Sequence, residues 1–531
     1  MVDSSIVPDY SALHYYTPSH DPERRQMEVD VCVYGGNSGG ITAAISARRQ
    51  GLRVVLLEPA MRLGGMTTGG LSYTDIGNKD AIGGLSREFY RRAGKAYGRA
   101  EQWCFEPHVA EEVFERWLAE EGVTCYIGSF LHSVELEVGR IRSLITENGI
   151  EVKARQYIDT SYEGDLMAKA GVSYTVGRES NELYGEEYNG SQVLDGHQFS
   201  FPVDPYRIER RPESGLLPGI DVEPHVPGCG DRRVQAYNFR LCLTANQSNR
   251  LPIIKPDGYD RSRYELLSRY CRAGFVPTFL KFDAIAEGKV DMNNWGAVST
   301  DWIGGSDRFP EAGYAERERI FQEHVRWILG LLWFWREDPA VPEEFQTRFR
   351  EWGWCRDEFT DTAGFSRMLY VREARRLIGD VVMTEHYCRG KAIAEDSVGL
   401  AAYTMDSHNC RRIVVDGMVK NEGNVEVYSG PPYPVSYRSI IPKREECRNL
   451  FVPFCLSASH IAFGSIRMEP VFMILSESAA LAAGLAIECG CDVQNVPYER
   501  LRERLVQAGQ VLERAQSQNS VMNEVYTESA I

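Results

Sequence analysis

The stretch VDVCVYGGNSGGITAAISARRQGLRVVLLEPAMRLGG, residues 29–65, decides the fold. Val29 to Tyr34 is an apolar, β-branched run that predicts a strand, and it leads directly into Gly35-Gly36-Asn37-Ser38-Gly39-Gly40. A helix is expected next, with the small residues Ala43, Ala44 and Ala47 on one face. A second strand, Val54 to Leu57, then ends on Glu58. This is the order of a βαβ unit whose glycine turn presents backbone N–H groups to a pyrophosphate at a helix N-terminus. Glu58 stands about 20 residues beyond the turn, where a carboxylate accepts hydrogen bonds from a ribose. Set against G-x-G-x-x-G, Gly35 and Gly40 hold the outer positions and Asn37 replaces the middle glycine. Asn tolerates left-handed backbone angles, so the expectation is a slightly remodelled turn that still holds a dinucleotide.

Outward from this unit, composition narrows the possibilities. A chain of 531 residues has room for a large core and a second domain. Lys+Arg 59 against Asp+Glu 75 leaves a net charge of −16, which repels phosphate backbones and argues against nucleic acid as a partner. Met1 to Met27 is polar, with no apolar leader, so the expectation is an N-terminal arm (1–28) on a reduced, cytoplasmic protein. The apolar stretch Val471 to Ile487 is broken by Ser476-Glu477-Ser478 and reads as a buried helix rather than a membrane span. The thirteen cysteines include no C-x-x-C pair, Cys489 and Cys491 read as helix-end residues, and no metal site is expected.

The βαβ unit is followed by LGGMTTGG (Leu63 to Gly70) and a helix, His108 to Glu121, with Val109, Val113 and Trp117 on one face. Alternating apolar residues from Val123 onward predict a small antiparallel hairpin array that returns to a strand ending on Asp159. From Val176 to Tyr437 loops rich in Pro, Gly and Tyr surround an amphipathic segment, Tyr314 to Glu337, and Trp302, Trp327, Trp333, Trp335, Trp352 and Trp354 concentrate there. A strand (Leu450 to Phe454), a glycine-containing loop, Pro470 and the apolar helix then complete the first domain. The fold class is therefore α/β. A discontinuous Rossmann-like domain (29–175 and 438–531) carries an inserted, aromatic-rich substrate or cap domain (176–437).

Several segments, in order along the chain, carry a resemblance: VYGGNSGGITAAISA, LLEPAMRLGGMTTGGLSYTDIGN, GGLSREFYRR, FEPHVAEEVFE, YIDTSYEGDLMAKAGVSYTVGRE, LYVREARRLIGDVVMTE, MDSHNCRR, YPVSYRSIIPK and LSASHIAFGSIRMEPVFMIL. Together they resemble the glutathione-reductase-like flavoprotein superfamily, and more closely the bacterial FAD-dependent oxidoreductases, some of which carry a xanthan-lyase label. The resemblance implies FAD as cofactor and a redox reaction at the flavin. By it, Gly35, Gly36, Asn37, Ser38, Gly39 and Gly40 hold the pyrophosphate, and Glu58 with Pro59 lies at the ribose. Arg62, Gly64, Gly65, Met66 and Thr67 run beside the ribityl chain and flavin, while Asp159, Gly164 and Asp165 close over the cofactor. Ser459, His460, Gly464, Arg467, Met468 and, beyond Pro470, Met473 lie at the isoalloxazine. A helix starting at Pro470 would turn its positive end toward the negative charge of a reduced flavin. The stretch before LYVREARR departs from the family's Trp-Pro-x-Gln-like pattern, reading Gly364-Phe365-Ser366-Arg367-Met368 on the expected substrate side.

Oxidation by a flavin needs a substrate C–H beside a hydroxyl or nitrogen aimed at N5, a base for the O–H or N–H proton, and anchors that fix the pose. Of ten histidines, His460 and His408 are the candidate bases, each with the competing reading of a satisfied interior histidine. Tyr370, Arg372 and Arg438, with Tyr437, are candidate anchors, although Glu373 is placed to pair with Arg375 or Arg376. His108 reads as a packing or capping residue. No second glycine-rich βαβ offers a seat for NAD(P)H, which favours a dehydrogenase or oxidase passing electrons to oxygen or another acceptor. The expected substrate is a small polar organic molecule such as a sugar, a glycoside or a specialised metabolite, with no nucleic-acid or membrane partner. Self-association into a homo-oligomer stays open. An FAD-containing lyase or isomerase without net redox change is the alternative; a nicotinamide-dependent dehydrogenase and a non-enzymatic flavin-fold protein are the remaining ones.

Overall fold

The computed structural model describes residues 9–19 and 24–514. Its central sheet contains β1 (Arg25–Tyr34), β2 (Val54–Leu57), β3 (Thr124–Tyr126), β4 (Leu131–Glu137), β5 (Arg140–Thr146) and β6 (Ile150–Asp159). They lie in the order β3-β2-β1-β6-β5-β4, and Leu450–Phe451 joins as a further strand on β6. β1 runs parallel to β2 and β6, β2 to β3, and Leu450–Phe451 to Tyr157–Ile158, whereas β4, β5 and β6 form antiparallel hairpins. The period of two along these strands feeds two cores. Val31, Val33, Leu56 and Ile158 face one, and Cys32, Tyr34, Val55, Leu57 and Tyr157 the other.

Two boundaries differ from the sequence expectation. β1 begins at Arg25 rather than Val29, pairing Arg25 to Val29 with Ile150 to Ala154, so residues 25–28 belong to the sheet and not to the arm. Exposed Arg25 and Gln26 alternate poorly with the half-buried Met27 and Val29, which hides the strand start from a hydrophobic pattern. β3 is a parallel edge strand beside β2 and not part of the hairpin array.

α1 (Ser38–Arg49) buries Ala43, Ala44 and Ala47 completely, and small side chains there let it pack closely on the apolar helix Glu469–Cys489. That helix is long and apolar enough to cross a membrane, with a mean hydropathy of 1.7, yet 94% of that window is buried inside the fold. It ends at Gly490 in the left-handed conformation (φ +62). α2 (Gly84–Ala96) and α3 (Pro107–Glu121) complete this side. Within the inserted region, Phe282–Ala284, Lys289–Met292, Leu241–Thr244, Gly353–Cys355 and Arg250–Leu251 form a five-stranded antiparallel sheet in that order. The helix Tyr314–Glu337 buries Ile320, Val325, Ile328, Leu332 and Trp335, the face its periodicity predicts. One hydrophobic core extends from the central sheet into this region, so the two pack over a shared interior.

Candidate functional site

A cleft runs along the C-terminal ends of β1 and β2, lined by Gly35, Asn37, Glu58, Pro59, Met61, Arg62 and Gly65. Gly35 has φ +107, and a Cβ there would lie 2.7 Å from the Ser161 backbone nitrogen. A Cβ on Gly40 would lie 1.8 Å from the Gly35 carbonyl oxygen, which is why helix and strand meet only through glycine. Asn37 does not use the left-handed region expected of it. It is extended (φ −75, ψ −174) and N-caps α1, its Oδ1 accepting from the Gly40 N–H at 3.0 Å. Its Nδ2 donates to the Thr160 carbonyl and ties the turn to the end of β6. The asparagine therefore exchanges the fingerprint's close backbone approach for a cap and a cross-strand tether.

Glu58 turns back over the turn. One carboxylate oxygen accepts from the Gly36 N–H, and the other accepts from the Ala60 N–H at 2.6 Å. Burial pushes this carboxyl up to about 8 against those two lowering contacts. The loop after β2 returns through Gly64 (φ +98) and Gly65 (φ +56), and the Gly64 N–H donates to the Gly36 carbonyl at 2.7 Å. A Cβ on Gly65 would lie 2.5 Å from the Tyr162 hydroxyl and 2.6 Å from the Asn37 Cβ. Met66 N–H donates to that hydroxyl at 2.9 Å. Arg62 stands at the rim, paired with Asp361 at 3.1 Å.

Glu469, the first residue of the apolar helix, joins these pieces. It is 5% exposed, with Ser38 Oγ donating at 2.5 Å, Thr67 Oγ1 at 2.8 Å and Tyr162 Oη at 2.8 Å. Burial raises its pKa, and the three hydroxyls satisfy both oxygens. Asp159 holds the loop after β6, accepting from Ser161 N–H at 3.0 Å and Met167 N–H at 2.8 Å, with burial lifting its pKa to about 7. Gly164 (φ +68) then starts α4 (Asp165–Lys169). Asp165 lines the cleft and is neutralised by Arg317 at 2.7 Å and Arg375 at 2.8 Å. A positive helix end beside a carboxylate acceptor, with glycines where side chains would collide, fits the adenosine-pyrophosphate half of FAD.

Beyond Tyr162 and Glu469 a small cavity is lined by Tyr370, Arg372, Phe463, Arg467 and Phe472. Arg467 donates to the Tyr370 hydroxyl at 3.0 Å and to Asp406 at 3.0 Å, and the Arg372 guanidinium lies 4.8 Å over the Tyr370 ring. Arg372 also donates to Asp301 at 2.8 Å. The other Asp301 oxygen meets His408 Nδ1 at 2.8 Å, while His408 Nε2 stands 3.5 Å from Asp406. Burial acts to raise the Asp301 and Asp406 carboxyls, but the neighbouring arginines and His408 hold both below the usual carboxylate range. The His408 side chain keeps 12% exposure. Arg367 and Met368, from the segment that departs from the family pattern, line the larger cleft beside Thr68 and Gly69.

The remaining expected site residues make the following contacts. His460 is 1% exposed, its Nδ1 2.8 Å from Glu373 and its Nε2 2.9 Å from the Ser407 hydroxyl, and burial drives its pKa down to about 3. With both ring nitrogens engaged in a sealed interior, it has no open face toward a substrate. Arg438 lies at the surface with 57% side-chain exposure, paired with Asp396 at 3.0 Å, and the Tyr437 hydroxyl donates to the Val493 carbonyl. Ser459 caps the helix His460–Ile466 and donates to Glu186. Gly464 allows that helix to touch strand Met405–Ser407, since a Cβ would lie 2.4 Å from the Asp406 carbonyl oxygen. Met468 is buried at the N-cap of the next helix, and the Met473 carbonyl accepts from Thr42 in the contact with α1. Among the described residues, Glu106, His108 and Glu358 converge closely enough to hold a cation, but the Lys289 ammonium already lies 2.6 Å from both glutamates.

The FAD dependent oxidoreductase family matches residues 30–505 of the chain. No curated protein matches it. Among solved structures it is similar to L-amino acid deaminase from Proteus vulgaris, at 16% identity over 34% of this chain and 57% of that one (TM-score 0.24). It is also similar to L-proline dehydrogenase from P. horikoshii, at 16% identity over 30% and 59% of the two chains (TM-score 0.24). For 3-ketosteroid-delta4-(5alpha)-dehydrogenase from Rhodococcus jostii RHA1 the identity is 15% over 30% and 51% (TM-score 0.20). The chain thus covers less than two thirds of each of these proteins. From the strand that opens the glycine turn to the helix that follows the apolar C-terminal one, the chain belongs to the FAD dependent oxidoreductase family and is an FAD-carrying enzyme.

Proposed function

We propose that this enzyme oxidises a small polar molecule at a C–H beside a hydroxyl or amine, with His408 as the base. The carrying observation is the His408–Asp301 pair at 2.8 Å, clamped from behind by Arg372 at 2.8 Å. A buried carboxylate on Nδ1 places the imidazole proton there, and Nε2, 3.5 Å from Asp406, is the nitrogen assigned to the substrate proton. FAD, when bound, supplies the hydride acceptor at flavin N5. His408 takes the O–H or N–H proton as the hydride leaves, and Asp301 and Asp406 stabilise the imidazolium that results. The Tyr370 hydroxyl, oriented by Arg467, is placed to hold the substrate oxygen or nitrogen. In this reading residues 176–437 supply the substrate side, and Gly35 to Gly40, Glu58, Gly65 and Thr67 the cofactor side.

Charge narrows the substrate class. Arg372 and Arg467 are each paired with an aspartate through a terminal nitrogen, so their charge is already matched before a carboxylate could arrive. The site suits a neutral polyhydroxylated molecule or an amine. The test is anaerobic bleaching of the FAD-loaded enzyme by a panel of polyols, glycosides and amines. His408→Gln should keep the flavin spectrum and slow bleaching by about 10²–10⁴-fold. Wild-type bleaching rates in that variant would refute the assignment.

A further inference from the structure

Residues Ala12 to Thr17 of the N-terminal arm line the same cleft as Gly35, Asn37 and Glu58. The arm is fastened there by specific contacts. Leu13 is 3% exposed, and its carbonyl accepts from Gln322 Nε2 at 2.7 Å. One Glu318 oxygen accepts from the backbone N–H groups of Tyr15 at 2.7 Å and Tyr16 at 2.9 Å, and the other meets His14 Nδ1 at 2.9 Å. The Tyr15 hydroxyl donates to Glu163 at 3.1 Å and accepts from Arg317 at 3.2 Å. Tyr16 donates to Glu147 at 2.8 Å and sets its ring edge-on to Phe130 at 4.8 Å. Glu318 and Gln322 belong to the helix Tyr314–Glu337 of the inserted region, whereas Glu147 and Glu163 flank β6 of the nucleotide-binding sheet. The arm therefore spans the cleft from one body of the fold to the other.

We propose that Ala12–Thr17 is a further cofactor-binding segment, a strap that closes over FAD once it lies in the cleft and sets its rate of release. The proposal rests on FAD occupying this cleft. Ala12–Thr17 forms neither helix nor strand, so its opening breaks side-chain contacts and a few hydrogen bonds but no sheet or helix ladder, and it can admit the dinucleotide without unfolding the domain. Asp165, which lines the cleft beneath the arm, is matched by Arg317 and Arg375 and so adds no unpaired negative charge there. Linkage makes the effect reciprocal: if the strap holds FAD, bound FAD holds the strap.

The experiment compares the FAD-loaded wild type with Glu318→Ala, which removes the acceptor for three arm donors while leaving the chain whole, and with deletion of residues 2–17. Release is followed by the rise of free-flavin fluorescence after dilution. Glu318→Ala should release FAD about tenfold faster, an effect on the off-rate rather than on entry. Chymotrypsin should nick the wild-type arm at Tyr15 and Tyr16 more slowly in the loaded than in the FAD-stripped protein. Wild-type release rates in Glu318→Ala overturn the strap, even if the deletion fails to fold. Glu58→Ala separates the underlying placement: unchanged FAD affinity there overturns the location of FAD in the cleft, whereas weakened affinity with unchanged release from Glu318→Ala overturns the strap alone.

Discussion

Replacing Lys289 with methionine should loosen the joint between the inserted sheet and the nucleotide-binding domain. Lys289 is 1% exposed, and its ammonium lies 2.6 Å from Glu106, 2.6 Å from Glu358 and 2.8 Å from Asp357. Glu106 is the N-cap residue of α3, and Glu358, itself fully buried, also accepts from the His108 backbone N–H at 3.0 Å. Methionine keeps most of the stem's volume, so the change removes charge rather than packing and leaves three carboxylates facing one another. Removing one partner from a buried ionic cluster costs about 3–5 kcal/mol. For 531 residues at about 2.1 cal/mol/K each, the unfolding entropy is about 1.1 kcal/mol/K, which converts that loss to a Tm lower by about 3–5 °C. Calorimetry at pH 7.5 and at pH 5.5 tests both the size and the origin. The deficit should shrink at the lower pH, because a stranded carboxylate can take up a proton there. A Tm within 1 °C of wild type (an effect under about 1 kcal/mol) would refute the clamp, and an equal deficit at both pH values would refute its electrostatic origin.

Further outcomes follow from the same geometry. Burial holds His324 down to about 4 and His460 to about 3 in the fold, from an ordinary 6.5. Their contribution to stability is present above 6.5 and declines as pH falls toward the folded values, at about 1.4 kcal/mol per pH unit for each ring. Tm measured from pH 7.5 to 5 should fall less steeply in His324→Gln than in wild type, and an unchanged slope would count against the buried neutral ring. Asn37→Ala loses the cap on Gly40 and the tether to Thr160, so α1 should lose about 1–2 kcal/mol in denaturant titrations, with weaker FAD binding. Asn37→Gly should lose less stability, and equal stability of the alanine variant and wild type would refute the capping role. Arg438→Ala breaks an exposed pair worth less than about 1 kcal/mol and should leave the rate of flavin reduction unchanged. A tenfold loss of that rate (about 1.4 kcal/mol) would place Arg438 back in the reaction.

The βαβ unit was legible because its signals are local: an apolar run, a glycine turn, small residues on one helical face, a carboxylate at the next strand's end. Asn37 is legible too, since an asparagine directly before a helix is a cap by its side chain and needs no left-handed backbone. Glu469 and Asp301 were hidden for the opposite reason. Their partners Ser38, Thr67 and His408 lie far off in sequence, and no spacing rule joins a carboxylate to a hydroxyl across the chain. The two candidate histidines show where a finer reading was available. His460 opens IAFGSI, a segment whose every residue is buried, so any polar atom there must find a protein partner and stop being reactive. His408 stands in the polar run Asp406-Ser407-His408-Asn409, where it and Asp406 are half-buried between buried neighbours. Neighbour polarity thus separates the two histidines in the sequence, while the identity of the carboxylate paired with His408 required the fold.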